Sequence, residues 1–318
     1  MLVKILSGTA IEPGSTGDLV TFADNICLPE IIAKTFGWEA IRIEYTNDQK
    51  ETASFGACRI GRKIVMLPHF SYGPYADPST AVEIIRESEK QGYFCEWRLT
   101  TKASEFVFAD KVTTLLPLKP GAEAQFQQLN SNLRRKIRKS ESNGIRITTG
   151  KSELLHDFYE IYSRNMHRLG SPALPERWFR NLLTDYRGGE AGIWIALFDE
   201  KPVGAAFILE YQGFYEACWF STLHNYNRQY TSYGLYWEMI RFAVEQKGRY
   251  FSFGRSTTGS GVHKFKQQWG GEDLPLYWNY SHPQKRNVRK LSFLPKLWKL
   301  LPYRLAKLID PLVSGRFY

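Results

Sequence analysis

Positions 254–261 read G-R-S-T-T-G-S-G, a stretch built from glycine, small hydroxyl residues and one arginine. Glycines there let backbone N–H groups turn toward a ligand, and Ser256 adds a hydroxyl. The next residues, V-H-K-F-K-Q-Q-W, predict a brief basic-aromatic helix whose positive dipole end aims the same way. Arg255, His263, Lys264 and Lys266 place cationic donors around the turn. That combination suits a phosphate-bearing or oxyanionic group. A basic surface hairpin with a flexible turn is the competing reading, since Gly-rich loops are common.

The elements around this turn must position it. Apolar spacing predicts a short helix over 28–36 stopped by Gly37, then strands over 39–45, 52–60 and 63–68. The loop H-F-S-Y-G-P-Y-A-D follows at 69–77, with Tyr72, Tyr75 and Asp77. A helix over 78–92 and strands over 94–99 and 106–118 complete a first unit. One helix is expected over 122–145, with the stripe Phe126, Leu129, Leu133 and Ile137 and five cations on its other faces. Such a run either grips phosphates or is a solvated face. Helices over 152–169 and 175–183, strands over 191–198, 201–211 and 213–221, and a helix over 232–248 lead into the turn. The pattern is α/β with a mostly antiparallel sheet.

A length of 318 residues predicts two domains, and 43% hydrophobic with 15% aromatic residues is ample for packed cores. Cys27, Cys58, Cys95 and Cys218 lie far apart with no C-x-x-C pair, which argues against zinc, iron–sulfur clusters or a disulfide framework. The first residues predict no signal peptide, and no apolar run is long enough to span a bilayer, so a cytoplasmic location is expected. Net charge is +10, but 285–318 holds nine Lys/Arg against Asp310, a local +8 that leaves only +2 for the rest. The basicity is a property of the tail, which ranks a nucleic-acid-binding module low.

The order of features resembles the FemAB-related branch of the GNAT superfamily. The likeness is carried by L-R-R-K-I-R-K-S-E-S-N-G-I, F-Y-E-I-Y-S-R-N-M-H-R-L-G-S-P and I-A-L-F-D-E-K-P-V-G-A-A-F, and by the 69–77 loop. Its most specific part is F-G-R-S followed by F-K-Q-Q-W-G. The resemblance implies two tandem GNAT-like domains, 1–115 and 116–284, with mixed, mostly antiparallel sheets, and a C-terminal amphipathic tail over 285–318. It also implies transfer of an acyl or aminoacyl group to an amine of a cell-envelope (peptidoglycan) or exopolysaccharide precursor. The donor would be aminoacyl-tRNA or acyl-CoA, with no tightly bound cofactor and no metal; a monomer or dimer is expected.

Acyl transfer needs a deprotonated amine, oxyanion donors and fixed positioning. Arg255 and Ser256 are expected to supply donors, His263 a proton acceptor, and Lys264 and Lys266 a grip on the donor's phosphate. Tyr72, Tyr75 and Asp77 would meet the acceptor, with Tyr230 and Tyr233 as further substrate-binding candidates. Trp269 is expected in the core. Two departures stand out. Ser252 occupies the position where the resemblance places an acid. The coenzyme A turn is only faintly echoed by Q-Y-T-S-Y-G at 229–234, which hinders close backbone approach to a pyrophosphate. An ordinary acyl-CoA N-acyltransferase and a non-catalytic membrane-surface adaptor are therefore the alternatives.

In the tail, leucines recur at helical spacing against Lys and Arg, with Pro295, Pro302 and Pro311 as breaks. Such helices lie on anionic membranes, at the inner face in this case, or pack their stripe on the second domain.

Overall fold

The computed structural model describes residues 2–7, 20–46, 48, 50, 52–71, 78–283 and 294–314. Twelve strands form one continuous sheet in the order β1-β2-β3-β4-β5-β12-β6-β11-β10-β9-β8-β7. The first half contributes β1 (Leu2–Ser7), β2 (Glu39–Thr46), β3 (Thr52–Ile60), β4 (Lys63–Ser71), β5 (Phe94–Leu99) and β6 (Phe106–Pro117). The second half contributes β7 (Ile145–Gly150), β8 (Glu190–Phe198), β9 (Lys201–Tyr211), β10 (Phe214–Thr222), β11 (Tyr250–Thr257) and β12 (Glu272–Tyr280). Pairing is antiparallel except at β4/β5 and β10/β11.

The halves exchange strands. β6 crosses to pair with β11, and β12 crosses back to lie between β5 and β6. The mixed sheets expected of the two halves join into a single sheet whose centre is woven from both. Periodicity alone cannot reveal which strands become neighbours.

The helices are α1 (Leu28–Phe36), α2 (Pro78–Lys90), α3 (Ala122–Gln128), α4 (Ser131–Ser142), α5 (Leu155–Leu169), α6 (Glu176–Asp185), α7 (Thr231–Glu245), α8 (Gly261–Gln267), α9 (Leu294–Leu300) and α10 (Tyr303–Ser314). Central strands are buried on both faces. On β9, Ala205, Phe207 and Leu209 enter a core with α1, α5 and α6, while Ala206 and Ile208 enter a core with α4 and α7. Trp269 is buried in the second core against Tyr236, Phe253 and Phe265, as its aromatic context predicts.

The single helix expected over 122–145 is broken. Leu129 leaves the helical region (ψ 141°), and Asn130 restarts the chain by accepting the Leu133 N–H. An N-capping side chain competes well with helix continuation at that point. β7, unmarked in the sequence reading, follows α4 and forms a sheet edge.

Candidate active site

The parallel ladder between β10 and β11 has three rungs: Phe214–Tyr250, Tyr215–Phe251 and Glu216–Ser252. Beyond the third, both strands bend away. β10 carries a bulge between Ala217 and Trp219 against β9, and β11 loses register with β6 between Ser252 and Arg255. Gly254 sits at the divergence with φ +69°, and a Cβ there would stand 3.0 Å from the Ala217 carbonyl oxygen. Only glycine accepts both conditions at low cost. The interrupted ladder has the Glu216–Ser252 rung as its apex.

At the apex, Ser252 Oγ donates to Glu216 Oε2 at 2.8 Å and lies 3.1 Å from Thr113 Oγ1 of β6. The Gly254 N–H donates to Ser252 Oγ at 3.2 Å. Glu216 is 1% exposed and Ser252 wholly buried. A buried carboxylate is costly without such donors. The acid that the resemblance places on β11 thus stands one strand away on β10, bonded to the serine that replaces it.

Lys266 of α8 is 5% exposed, and its Nζ donates to the carbonyls of Gly254 (2.8 Å) and Arg255 (3.1 Å). Burial pushes its pKa down to about 8; the Arg255 charge adds to that, and the Glu216 charge opposes it. Burial, with help from Glu216, raises the Cys218 thiol well above its ordinary range, so this cysteine is no thiolate nucleophile. The apex therefore combines a carboxylate, two hydroxyls and a lysine that titrates near physiological pH.

The other expected site residues divide. Arg255 is exposed on β11, close enough for its charge to act on Lys266 and Cys218. Ser256 points inward, and its Oγ is buried with no hydrogen-bond partner. Lys264 is exposed on α8. His263 is buried, and both ring nitrogens are committed: Nδ1 accepts the Gly259 N–H at 3.0 Å, and Nε2 bonds Asp273 Oδ2 at 2.8 Å. Asp273 is held in turn by Thr114 and Gln267, and despite burial these bonds keep its carboxyl below the usual range. With the Nδ1 lone pair occupied, His263 ties the 258–260 turn to β12, and the proton-acceptor role expected for it lacks a free nitrogen. Tyr72, Tyr75 and Asp77 lie outside the described residues.

Tyr230 and Tyr233 open α7 and gather cations from α4. Lys136 Nζ lies 3.1 Å from Tyr233 Oη and 4.8 Å above that ring, and Lys139 lies 5.9 Å from the Tyr230 ring. Tyr233 in turn meets Phe265 edge-on at 5.1 Å, joining α7 to α8. The 229–234 segment does other work as well. A Cβ on Gly234 would fall 2.4 Å from Ser140 Oγ, so this glycine lets α4 and α7 close together.

Sequence reasoning missed Glu216, Thr113, Lys136 and Lys139 as members of the site. One signal for Glu216 was present: it is the lone acid in the apolar strand F-Y-E-A-C-W-F. A carboxylate amid residues that must be buried is rarely there without a partner or a task.

Residues 127–267, which contain β10, β11 and α8, match the family described as "Acetyltransferase (GNAT) domain". Among solved structures, FemX is similar over 93% of this chain and 95% of its own, with a TM-score of 0.60 at 11% identity. The C-terminal domain of a putative lysylphosphatidylglycerol synthetase from Agrobacterium fabrum is similar over 85% of this chain and 91% of its own (TM-score 0.53, 11% identity). L-PGS from Bacillus licheniformis is similar over 82% and 90% (TM-score 0.51, 12% identity). Among curated proteins no relative matches the sequence. The match to the GNAT domain family covers 127–267, and the chain has a GNAT-like fold of mixed α/β class similar to that of FemX.

Proposed function

We propose that this protein moves an acyl group, in the fullest form of the reading an aminoacyl group, from an activated carrier to an amine of a cell-envelope or polysaccharide precursor. The observation that carries this reading is the parallel ladder that stops at a buried carboxylate–serine rung, inside the segment matched as a GNAT domain. The bulge between Ala217 and Trp219 leaves main-chain groups of β10 to line an acyl ester.

In the reaction, the acceptor nitrogen attacks the acyl carbonyl, a C–N bond forms, and the carrier's ester or thioester bond breaks. Glu216, through the hydrogen-bonded Ser252 hydroxyl, takes the proton shed by the attacking nitrogen and passes it to the carrier's departing oxygen or sulfur, which regenerates the carboxylate. Lys266 holds the Gly254 and Arg255 carbonyls in place, and Arg255 faces the charge that builds on the carbonyl oxygen. One such donor contributes about 2–4 kcal/mol of transition-state stabilisation.

Lys136, Lys139 and Lys264 would take the carrier's phosphates, which both aminoacyl-tRNA and acyl-CoA possess. One similar fold bears the name of a putative lysylphosphatidylglycerol synthetase, which favours the aminoacyl carrier. The poor match of 229–234 to a pyrophosphate turn, with Gly234 engaged against Ser140, favours it too. The non-catalytic alternative loses its main motive, because a carboxylate is present at the apex after all.

Purified protein supplied with labelled acetyl-CoA or with labelled aminoacyl-tRNA, and with envelope-precursor amines as acceptors, tests the reading. Transfer from aminoacyl-tRNA that Glu216→Gln abolishes is expected. Transfer from acetyl-CoA alone would reassign the carrier. Transfer from neither, at any acceptor, would remove the proposal.

A further inference from the structure

The tail resolves into two short helices with two different faces. The inner face of α10 docks on α5: Ala306 is buried, Tyr303 Oη lies 2.8 Å from Ser163 Oγ, and Lys307 pairs with Glu160. His167 Nε2 bonds the Leu301 carbonyl at 2.9 Å. Packing on the second domain, one of the two expectations for this stripe, therefore accounts for the inner face.

The outer face is another matter. Among the described residues, seven large hydrophobic side chains are exposed, and four of them are Leu297, Leu300, Leu305 and Leu308. A fifth, Leu169, ends α5, the helix on which the tail sits. Leu300 and Leu308 are the most open, at 78% and 74%. Exposed cations stand among them: Lys299 and Arg304 on the tail and Arg168 on α5. The acids nearby do not offset this charge, since Asp310 is buried and Glu160 is bound by Lys307 and Arg164. Clustered exposed leucines on a soluble surface mark a contact site.

We propose that the outer face of α9–α10, continued by the C-terminal end of α5, seats this protein on an anionic lipid surface. Charge complementarity selects that occupant. A second copy would bring the same cations face to face, and like charges across an interface oppose association. Protein interfaces are also depleted in lysine, whereas leucines flanked by Lys and Arg match an acyl layer under anionic headgroups. The inner face is already satisfied by α5, so the outer leucines can enter the interface without unpacking the fold. This inference stands apart from the transfer chemistry, and each can fail alone.

The test is co-sedimentation of the full chain with vesicles of phosphatidylcholine, alone or mixed with phosphatidylglycerol. Binding to the mixed vesicles, weakened by added salt, is expected. Leu300→Asp with Leu308→Asp, both at solvent-exposed positions, should lower that binding on the order of a hundredfold with unchanged circular dichroism. Lys299→Glu with Arg304→Glu provides an independent variant and should lower it at least about tenfold. Equal binding to both vesicle types, no binding, or leucine and charge variants that bind as the parent does would each overturn the proposal. So would a dimer in sedimentation equilibrium that the leucine variant dissolves, which would give this face to a second copy.

Discussion

The two parallel strand pairs of this molecule invite comparison, because each places a buried glutamate on its third rung. In the first half that rung is Val65–Glu96, with the acid on β5; in the second it is Glu216–Ser252, with the acid on β10. Glu96 is held by Lys63 at 2.7 Å and by Arg98 at 2.9 Å. Burial works to raise its pKa, yet Arg98 and Lys63 outweigh that and hold it below the ordinary range. Glu216 instead meets a serine hydroxyl, with its lysine neighbour anchored on carbonyls. The same topology yields an ion-paired brace in one half and, in the proposed function, the proton acceptor in the other. Two cations at hydrogen-bond distance commit the Glu96 carboxylate to staying charged.

The sharpest way to break this comparison is to neutralise each glutamate in turn. Glu216→Gln should lower kcat/KM by about 10²–10⁴ while urea unfolding changes little, because a general base is lost and a hydrogen-bond acceptor is kept. Glu96→Gln should do the reverse, costing about 3–5 kcal/mol of stability by leaving buried cations under-compensated, with turnover per folded molecule retained. If Glu96→Gln removes activity and Glu216→Gln does not, the roles assigned to the two halves are exchanged. Next in size, Arg255→Ala should reduce kcat by about a hundredfold without altering the fold, as removal of one oxyanion donor does. Unchanged turnover would take Arg255 out of the site.

Lys266 gives a pH-dependent test. Its folded pKa lies below the ordinary lysine value of 10.5, at about 8, so the unfolded chain binds the extra proton between those values. Stability should therefore rise with pH across that window and be lost again as pH falls through about 8. Lys266→Met should show no such rise in its urea midpoint. A parallel slope in both proteins would mean that the lysine is not buried as described. The smallest effect concerns Asp310 of α10, which burial raises from 3.8 to about 6, against a hydrogen bond from Ala173 and the nearby His167. Its folded pKa is above its unfolded one, so docking of α10 is fullest below about 4 and weakens as pH rises through about 6. Amide exchange over 303–314 should follow that course in the parent and be flat in Asp310→Asn; identical profiles would discount the carboxyl.

Much of the element list was legible before any coordinates. The helix at Leu28–Phe36 and the strands at Thr52–Ile60, Phe94–Leu99 and Lys201–Tyr211 match their expected bounds, because strong periodicity and glycine or turn residues mark them locally. The strand–turn–helix–strand run around 254–261 was equally plain. The site was legible only in part. Charge type singled out Arg255 and Lys266, but Lys266, expected to grip a phosphate, is buried on the Gly254 and Arg255 carbonyls, and nothing local links Ser252 to an acid 36 positions earlier. The brief helix break at Leu129 was lost inside an unbroken apolar stripe.

The sequence alone determined the periods, the glycine that a positive φ and a close carbonyl demand, the concentration of charge in the tail, and the likeness to FemAB-related proteins. The tertiary structure decided that Glu216 and Ser252 share a rung, that β6 brings Thr113 to the apex, and which tail leucines face outward. The reason is physical. Helical and strand periods are written within a few neighbouring residues, whereas register between distant strands follows from which faces the whole core can bury together.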